Sequence, residues 1–164
     1  MAWDALLKHV PLAVGNVHRM LGEDDPGAAA RAYDDELSAL ARLERPASDV
    51  PVFDLVLLGL GRDGHTASLF PHSPALDEED RLCVATEAPD GSARLTVTWP
   101  VINSARRVVV LVNGAEKAGM VAEVFEGFRL PKAVPAQAVA PVKGQLLWLV
   151  DAAAASELGT ASRT

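Results

Sequence analysis

The sequence contains little of several things that define large protein classes. Its 164 residues include a single cysteine, Cys83, so no disulfide can form within the chain. Aromatic residues make up only 5% of it, so a core must be built mostly from Val, Leu and Ala. No apolar run approaches the roughly 20 residues that a membrane-spanning helix needs. We therefore expect neither a disulfide-stapled domain nor a membrane partner.

Positive charge is also scarce. Fifteen Lys and Arg residues stand against 22 Asp and Glu residues, which gives a net charge of −7. Such a chain lacks the broad basic face that binds nucleic acids, so we expect no nucleic-acid partner. An anionic substrate would need a local cluster of basic side chains or backbone N–H groups. The first residues include Asp4 and no basic segment, unlike a signal peptide, which together with the low cysteine content predicts a cytoplasmic protein.

The composition predicts one domain, residues 1–164, with a small polar tail at 160–164 that we expect to fray. Apolar runs typical of strands recur along the chain. Strands are predicted at 52–60, 82–86, 95–99, 108–112 and 146–150. The first run is apolar almost throughout, which indicates a strand buried on both faces of a parallel sheet.

Helical patterns lie between the predicted strands. Asp25 followed by Pro26 predicts a helix start with the Asp as N-cap, and Tyr33, Leu37 and Leu40 then share one helical face. Further helices are predicted at 2–9 with Leu6 and Leu7 inward, at 66–70, at 116–125, and after a capping Asp151 up to Gly159. The alternation predicts an α/β fold, a mostly parallel sheet flanked by helices, with ligands at the carboxyl ends of its strands.

A glycine-rich turn follows the first predicted strand. Gly59, Gly61 and Gly64 fit the G-x-G-x-x-G pattern of dinucleotide-binding turns, and Glu87 lies at a suitable separation for a ribose contact. In that class, however, a helix of several turns begins at the third glycine. Pro71 interrupts any such helix within two turns, so we disfavour a nicotinamide or flavin site.

The polar residues around this turn favour hydrolytic chemistry instead. Asp63 and His65 lie at its mouth, and a His exchanges protons near neutral pH. A helix beginning near Gly64 would direct its first backbone N–H groups at an anion or an oxyanion. The same residues also suit an ordinary tight turn with a capping Asp and a surface His, and spacing alone does not separate the two interpretations.

The turn belongs to a longer stretch that resembles a known family. Residues 53–71, Phe-Asp-Leu-Val-Leu-Leu-Gly-Leu-Gly-Arg-Asp-Gly-His-Thr-Ala-Ser-Leu-Phe-Pro, closely resemble the signature of the 6-phosphogluconolactonases. Residues 94–103 resemble the family's arginine-led strand, 112–118 its Gly-x-x-Lys-Ala turn, and 147–154 its final strand and helix. Residues 1–45 are also similar to a family segment, so the resemblance covers nearly the whole chain.

The resemblance carries expectations about fold and completeness. It implies a modified Rossmann-like, three-layer α/β fold that lacks the family's usual N-terminal portion with its Ser/Gly-rich phosphate loop. An exposed apolar sheet edge is then expected, and a catalytically silent fragment or scaffold is the rival hypothesis. The related glucosamine-6-phosphate isomerases/deaminases usually continue from the shared Gly-x-Asp-Gly-His core toward Phe-Asn-Glu-Pro. This chain has Ser68-Leu-Phe-Pro71 instead, which favours the lactonase.

By this resemblance the reaction is hydrolysis of 6-phospho-D-glucono-1,5-lactone to 6-phosphogluconate, which requires no metal or organic cofactor. His65 is then the general base toward water, while Asp63 orients it, binds a sugar hydroxyl or only caps the turn. Amides around Gly61 and Gly64 are expected to steady the oxyanion. The spacing of His65 and His72 matches no zinc motif.

Two basic residues are candidates for the substrate phosphate. Lys117 lies in the first turn of a predicted helix, where a cation opposes the helix dipole unless an anion binds nearby. Arg94 begins the stretch that resembles the family's arginine-led strand. Without the resemblance, both residues would be interpreted as ordinary solvated side chains.

Overall fold

A computed structural model of the chain describes residues 2–159. Met1 and the tail at 160–164 lie outside the described residues. The helices are α1 (Ala2–Ala5), α2 (Pro26–Glu44), α3 (Trp99–Ser104) and α4 (Ala118–Glu126). The strands are β1 (Val56–Gly59), β2 (Cys83–Glu87), β3 (Ala93–Val97), β4 (Arg107–Val112) and β5 (Gln145–Val150). Short 3₁₀ helices are Leu7–His9, Val14–Asn16, Pro74–Asp77, Ala115–Lys117 and Pro135–Ala138. Each segment predicted as a strand overlaps one of the five strands.

Three of the strands form a parallel sheet in the order β1-β4-β5. Leu58 of β1 pairs with Val110 of β4, which in turn pairs with Trp148 of β5. Because the strands are parallel, their carboxyl ends lie at the same edge of the sheet. The turns that follow Gly59 and Val112 therefore meet at this edge, where the strand pattern predicted a ligand site.

One face of the parallel sheet carries the core. Val108 and Val110 of the central strand are fully buried there, packed in one cluster with Ile102 of α3 and Val121 of α4. Leu69, from the segment that follows the glycine-rich turn, is fully buried in the same cluster. The turn is thereby attached to the best-packed part of the molecule.

The opposite face of the sheet is a leucine face, made of Leu57, Leu111, Leu147 and Leu149. These side chains keep between 46% and 61% of their surface exposed in the described part of the chain. The prediction that the first strand is buried on both faces was therefore wrong, because an apolar run does not reveal how many layers cover it. The exposed apolar surface seen here is a sheet face, whereas the resemblance implied an apolar sheet edge.

The two remaining strands form a separate antiparallel hairpin, β2–β3. Cys83 pairs with Val97 at one end, and Glu87 pairs with Ala93 next to the turn. The strand predicted to continue to Trp99 stops earlier, and Trp99 begins α3 instead. Pro100 explains the change, since a proline fits the first turn of a helix and cannot donate to a strand ladder.

Helix α2 begins as predicted and packs on the hairpin. The Asp25 side chain accepts a hydrogen bond from the Ala28 N–H at 2.9 Å, which is the expected N-cap. Leu37 is buried in a second cluster with Leu82 and Cys83 of the β2 region. Helix α2 thus covers the hairpin face that carries Cys83. The opposite face of the hairpin is left to contact the segment after the glycine-rich turn.

The two chain ends depart from the predicted helices. Leu6, which was expected to face inward, lies between α1 and the 3₁₀ helix that follows it, and its side chain is 58% exposed. Residues 152–157 form successive turns rather than a regular helix, although Asp151 does cap them. Among the described residues, no helix combines the length and the apolar character that crossing a membrane requires.

Asp34→Ala is expected to lower the free energy of unfolding by about 1–3 kcal/mol, the cost of leaving buried amides without partners. The Asp34 Oδ1 accepts from the N–H of Leu82 at 2.6 Å and of Cys83 at 3.1 Å, which ties α2 to β2. Urea denaturation measures the effect. Asp35→Ala, at the exposed neighbouring position of the same helix, is the control. Equal losses in both variants would contradict this role of Asp34.

Candidate active site

The glycine-rich turn after β1 is a compact loop closed by its own hydrogen bonds. The Gly61 N–H donates to the His65 carbonyl at 2.8 Å, and the Gly64 N–H donates to the Gly61 carbonyl at 3.1 Å. The buried Thr66 hydroxyl donates to the Gly59 carbonyl at 2.9 Å. These bonds hold the loop against the carboxyl end of β1.

Gly64 lies where this loop meets the rest of the protein. Its φ of +82° is in the left-handed region that favours glycine. A Cβ at this position would approach the Met120 sulfur of α4 and the Val134 side chain at 3.0 Å. Its carbonyl accepts from the Ala136 N–H at 2.9 Å. Both the backbone conformation and the packing therefore require glycine.

Asp63 and His65 form a hydrogen-bonded pair on the loop. The His65 Nδ1 lies 2.5 Å from the Asp63 Oδ1, and the His65 backbone N–H donates to the same oxygen at 3.2 Å. Because an ionised carboxylate only accepts, Nδ1 carries a hydrogen, and Nε2 is the basic nitrogen of the neutral ring. No group in residues 2–159 is hydrogen-bonded to Nε2. The pair thus offers a basic nitrogen that is free to contact a ligand or a water.

The same contacts set the charge of Asp63. Partial burial acts to raise the pKa of the Asp63 carboxyl, but hydrogen bonds from the His65 backbone and ring outweigh it, and the pKa lies below its ordinary value. Asp63 is therefore ionised at neutral pH, as the tautomer of His65 requires. Three roles were considered for Asp63. The contacts that two of them require are present: the one that orients His65 and the one that caps the turn.

Two neighbours restrict the His65 ring. Gly61 lies so close to the pair that a Cβ there would collide with the His65 Nδ1 and the Asp63 Oδ1. The Phe70 ring packs on the His65 ring with their centroids 4.7 Å apart and a tilt of 50°. The imidazole is thus confined by a backbone and an aromatic side chain as well as by its carboxylate.

The segment that follows the loop is a tight turn, and the short helix predicted there is wrong. The Leu69 N–H donates to the Thr66 carbonyl at 2.9 Å, and Ala67 has a φ of +50°. The Ser68 N–H donates to the buried hydroxyl of Thr96 in β3 at 3.2 Å. This contact joins residues 28 positions apart, so the local sequence pattern does not reveal it.

The absence of that helix changes the expected oxyanion site. Helical N–H groups near Gly64 do not exist, and the amides of Gly61 and Gly64 both donate within the loop. In this geometry neither of these two amides is free to stabilise an oxyanion, so the part of the expectation that rests on them is corrected. The Arg62 N–H, one of the amides around Gly61 and Gly64, donates to no group among the described residues.

Lys117 reaches the loop from the next strand end. It closes the 3₁₀ helix that follows β4, and its Nζ donates to the Leu60 carbonyl at 2.8 Å. Leu60 lies in the glycine-rich turn, between Gly59 and Gly61, so the turn is in contact with a cation. The structure therefore brings Lys117, a candidate through the family resemblance, to the His65 loop.

Arg94 lies farther out, exposed on β3. Its guanidinium donates to the Ala93 carbonyl at 3.0 Å. It shares a strand face with Thr96, which anchors the segment after the loop. In residues 2–159, Arg94 has no hydrogen bond or ion pair with the glycine loop.

A cavity of about 670 Å³ lies next to these residues without containing the pair. Phe70, His72, Thr86 and Glu87 are part of its wall. The side chains of His65 and Asp63 are 32% and 38% exposed, so the pair lies on an open surface. Among the described residues, no group of three or more His, Cys, Asp or Glu side chains is arranged to hold a metal ion.

The fold and the loop together define a class of protein: an α/β protein with a polar site at the carboxyl ends of parallel strands. Residues 1–148 match the family model for glucosamine-6-phosphate isomerases/6-phosphogluconolactonase. The chain belongs to this family.

Curated relatives share much of the sequence. A 6-phosphogluconolactonase from Synechocystis sp. is 45% identical over 159 residues, which are 96% of this chain and 65% of the relative. A protein of the same name from Mycobacterium tuberculosis is 42% identical over 161 residues, 94% of this chain and 63% of the relative. The chain thus spans a little less than two thirds of the length of these relatives.

Solved structures confirm the predicted fold, a mostly parallel sheet flanked by helices. The crystal structure of devB protein has a TM-score of 0.82 at 34% identity, covering 95% of this chain and 65% of that one. The 6-phosphogluconolactonase from Trypanosoma cruzi has a TM-score of 0.73 at 31% identity, covering 96% and 64%.

Proposed function

We propose that the protein hydrolyses 6-phospho-D-glucono-1,5-lactone to 6-phosphogluconate, a step of the oxidative pentose phosphate pathway. The observation that carries the proposal is the His65–Asp63 pair, which leaves a basic Nε2 free on a loop that the Lys117 ammonium also contacts. The names of the relatives from Synechocystis sp. and Mycobacterium tuberculosis support the choice of substrate. Because those relatives are longer, activity of this chain by itself is part of the proposal.

In the proposed mechanism, the His65 Nε2 removes a proton from a water whose oxygen attacks the lactone carbonyl carbon. The new C–O bond forces the carbonyl electron pair onto oxygen and gives a tetrahedral oxyanion. When this intermediate collapses, the bond to the ring oxygen breaks, and the imidazolium returns its proton to that oxygen. Ionised Asp63 stabilises the imidazolium in the interval.

The Arg62 N–H, which donates to no group in residues 2–159, is a loop donor available to the oxyanion. It lies between Gly61, which packs on the reacting pair, and Asp63, which orients it. A backbone donor in such a place needs no side-chain ordering when charge develops on the substrate.

The substrate phosphate is proposed to bind Lys117. One Nζ proton is donated to the Leu60 carbonyl, which fixes the ammonium beside the loop and leaves two further protons for phosphate oxygens. Arg94, on the β2–β3 hairpin, is retained as a second candidate for binding the substrate phosphate.

Hydrolysis by the purified 164-residue chain tests the proposal. The product is followed by NADP reduction with added 6-phosphogluconate dehydrogenase, and the spontaneous hydrolysis of the lactone is subtracted. A rate above that background, proportional to protein concentration, is expected. No excess over background would contradict the proposal. Ammonia release from glucosamine 6-phosphate in a parallel assay would indicate the activity of the related deaminases instead.

Lys117→Met is expected to raise KM for the phosphorylated lactone by about 10- to 100-fold, the equivalent of one or two charge-assisted hydrogen bonds. The substitution removes the charge and keeps an unbranched apolar stem, while His65 is untouched, so kcat should change much less. Lys143→Met, just before the amino end of β5, is the control and should keep the wild-type KM. A KM unaffected by Lys117→Met would exclude Lys117 as a phosphate ligand.

We also infer a cytoplasmic location. Burial, with a smaller effect of the nearby Asp34 carboxylate, raises the pKa of the Cys83 thiol to about 11. Such a thiol is an inert core group, and an unpaired core cysteine is typical of proteins in reducing compartments.

A further inference from the structure

We propose that Asp151 is a positioning residue for Lys117. Its carboxylate holds the Gly114 amide, and thereby the turn from which the Lys117 side chain reaches the glycine loop. The consequence for substrate binding rests on the proposed function, in which Lys117 binds the phosphate. The role of Asp151 in placing the ammonium does not depend on that function.

Asp151 lies at the carboxyl end of β5 and is bonded to the end of β4. Its backbone N–H donates to the Val112 carbonyl at 3.1 Å. Both carboxylate oxygens accept from the Gly114 N–H, Oδ1 at 3.3 Å and Oδ2 at 3.2 Å. Oδ1 also accepts from the Ala154 N–H at 2.7 Å. One side chain therefore caps the turns that follow it and holds a turn 37 residues away in sequence.

Gly114 is the first residue of the turn that carries Lys117. Its φ is +96°, and a Cβ at this position would collide with the Glu116 carboxylate. Its carbonyl accepts from the Lys117 N–H at 3.1 Å, which closes the 3₁₀ turn. The amide of Gly114 is thus bound to Asp151 while its carbonyl is bound to Lys117. A glycine has wide conformational freedom, so this conformation depends on such partners.

The placement of the turn decides whether the ammonium reaches the loop. The Lys117 Nζ contacts a backbone carbonyl of Leu60, in another strand connection 57 residues earlier. A lysine side chain is long and flexible, and it keeps one contact only when its backbone is held at the right place. Release of Gly114 from Asp151 would let the turn move and would weaken the contact between Nζ and Leu60.

Asp151→Ser separates the two functions of the carboxylate. Serine is a good N-cap and can still accept from the Ala154 N–H, but it is too short to accept from Gly114 as well. Asp151→Asn, which keeps the length and one acceptor oxygen, should have an intermediate effect. Asp25→Ser is the matched control, because it makes the same exchange at the N-cap of α2.

The first measurement is the acylation rate of Lys117 by a water-soluble acetylating reagent, read by peptide mass spectrometry. In the wild type, the half-buried ammonium bound to Leu60 should react slowly. Asp151→Ser should raise the rate several-fold, while Asp25→Ser should leave it unchanged. Thermal unfolding of each variant shows that the fold is retained.

The second measurement is the kinetics of lactone hydrolysis. Asp151→Ser should raise KM for the phosphorylated lactone by about tenfold, as for loss of one good contact, with kcat within about twofold of the wild type. Hydrolysis of unphosphorylated glucono-1,5-lactone should be unchanged, which a general loss of structure would not allow.

The outcomes separate this proposal from the proposed function. Unchanged acylation of Lys117 in Asp151→Ser overturns the positioning role, whether or not the wild type hydrolyses the lactone. Faster acylation in a folded variant supports the role even if the wild type is inactive, in which case only the proposed function fails. Faster acylation with an unchanged KM in an active enzyme overturns the claim that Asp151 acts on substrate binding.

Discussion

His65→Asn should lower kcat for lactone hydrolysis by about 10²–10⁴-fold, the usual contribution of a general base. Asparagine retains a side-chain N–H that can donate to Asp63, but it has no nitrogen that accepts a proton from water. KM should change little, because the proposed phosphate contact is made by Lys117 on the neighbouring strand end. The coupled assay, corrected for spontaneous hydrolysis, measures both constants.

His72→Asn is the matched control for this prediction. His72 lines the neighbouring cavity and has a φ of +59°, a backbone conformation that asparagine also tolerates. We expect it to keep the wild-type kcat. Near-normal turnover of His65→Asn would show that His65 is not the general base. Similar losses of kcat in both variants would show that the losses come from reduced stability of the fold.

The parts of the fold that the sequence predicted well are those determined by local pattern. The N-cap of α2 was predicted because Asp25 and Pro26 act within one helical turn, and the hydrogen bond to Ala28 is present. Strand β4 was predicted from its short apolar run, and it is the central strand, hydrogen-bonded to β1 on one side and to β5 on the other. In both places, the residues that specify the structure are adjacent in sequence.

The predictions that failed depend on contacts between distant segments. The turn at Ala67 is stabilised by the hydroxyl of Thr96, far along the chain, and no periodicity in the turn itself indicates that contact. The exposure of Leu57 depends on whether another layer covers the sheet, which an apolar run does not encode. Asp151 was predicted only as a cap, because its second partner, Gly114, follows a different strand.

The candidate site shows the same division. An orienting contact from Asp63 to His65 was one of three roles expected for Asp63, and the hydrogen bond between these two residues of one turn is present. Lys117 was a candidate only through the resemblance, and the meeting of parallel strand ends explains its approach to the loop. The amides of Gly61 and Gly64 themselves are not available to an oxyanion, because a loop this short uses these two N–H groups to hold itself together.

The position of Gly61 leads to a second prediction of large effect. Gly61→Ala should lower kcat by about 10²-fold, the cost of a misplacement of about 1 Å at a reacting group. The new Cβ would occupy the space of the His65 Nδ1 and the Asp63 Oδ1, so the pair must separate or shift. The backbone of Gly61 does not have a positive φ, so alanine adds no left-handed backbone strain there. Stability should therefore change much less than activity, as urea denaturation beside the coupled assay can show.

Gly59→Ala gives the control two residues earlier in the same connection. Nothing lies within 4 Å of a Cβ built at Gly59, so this variant should keep both stability and turnover. If Gly61→Ala also keeps its turnover, the proton transfer does not depend on the observed His65–Asp63 geometry, and the mechanism must use another base. If it loses activity with an intact fold, the reason that this glycine loop carries glycine at position 61 is the placement of the His65 ring. The fit of this loop to the dinucleotide-binding pattern would then be a consequence of packing around a catalytic pair.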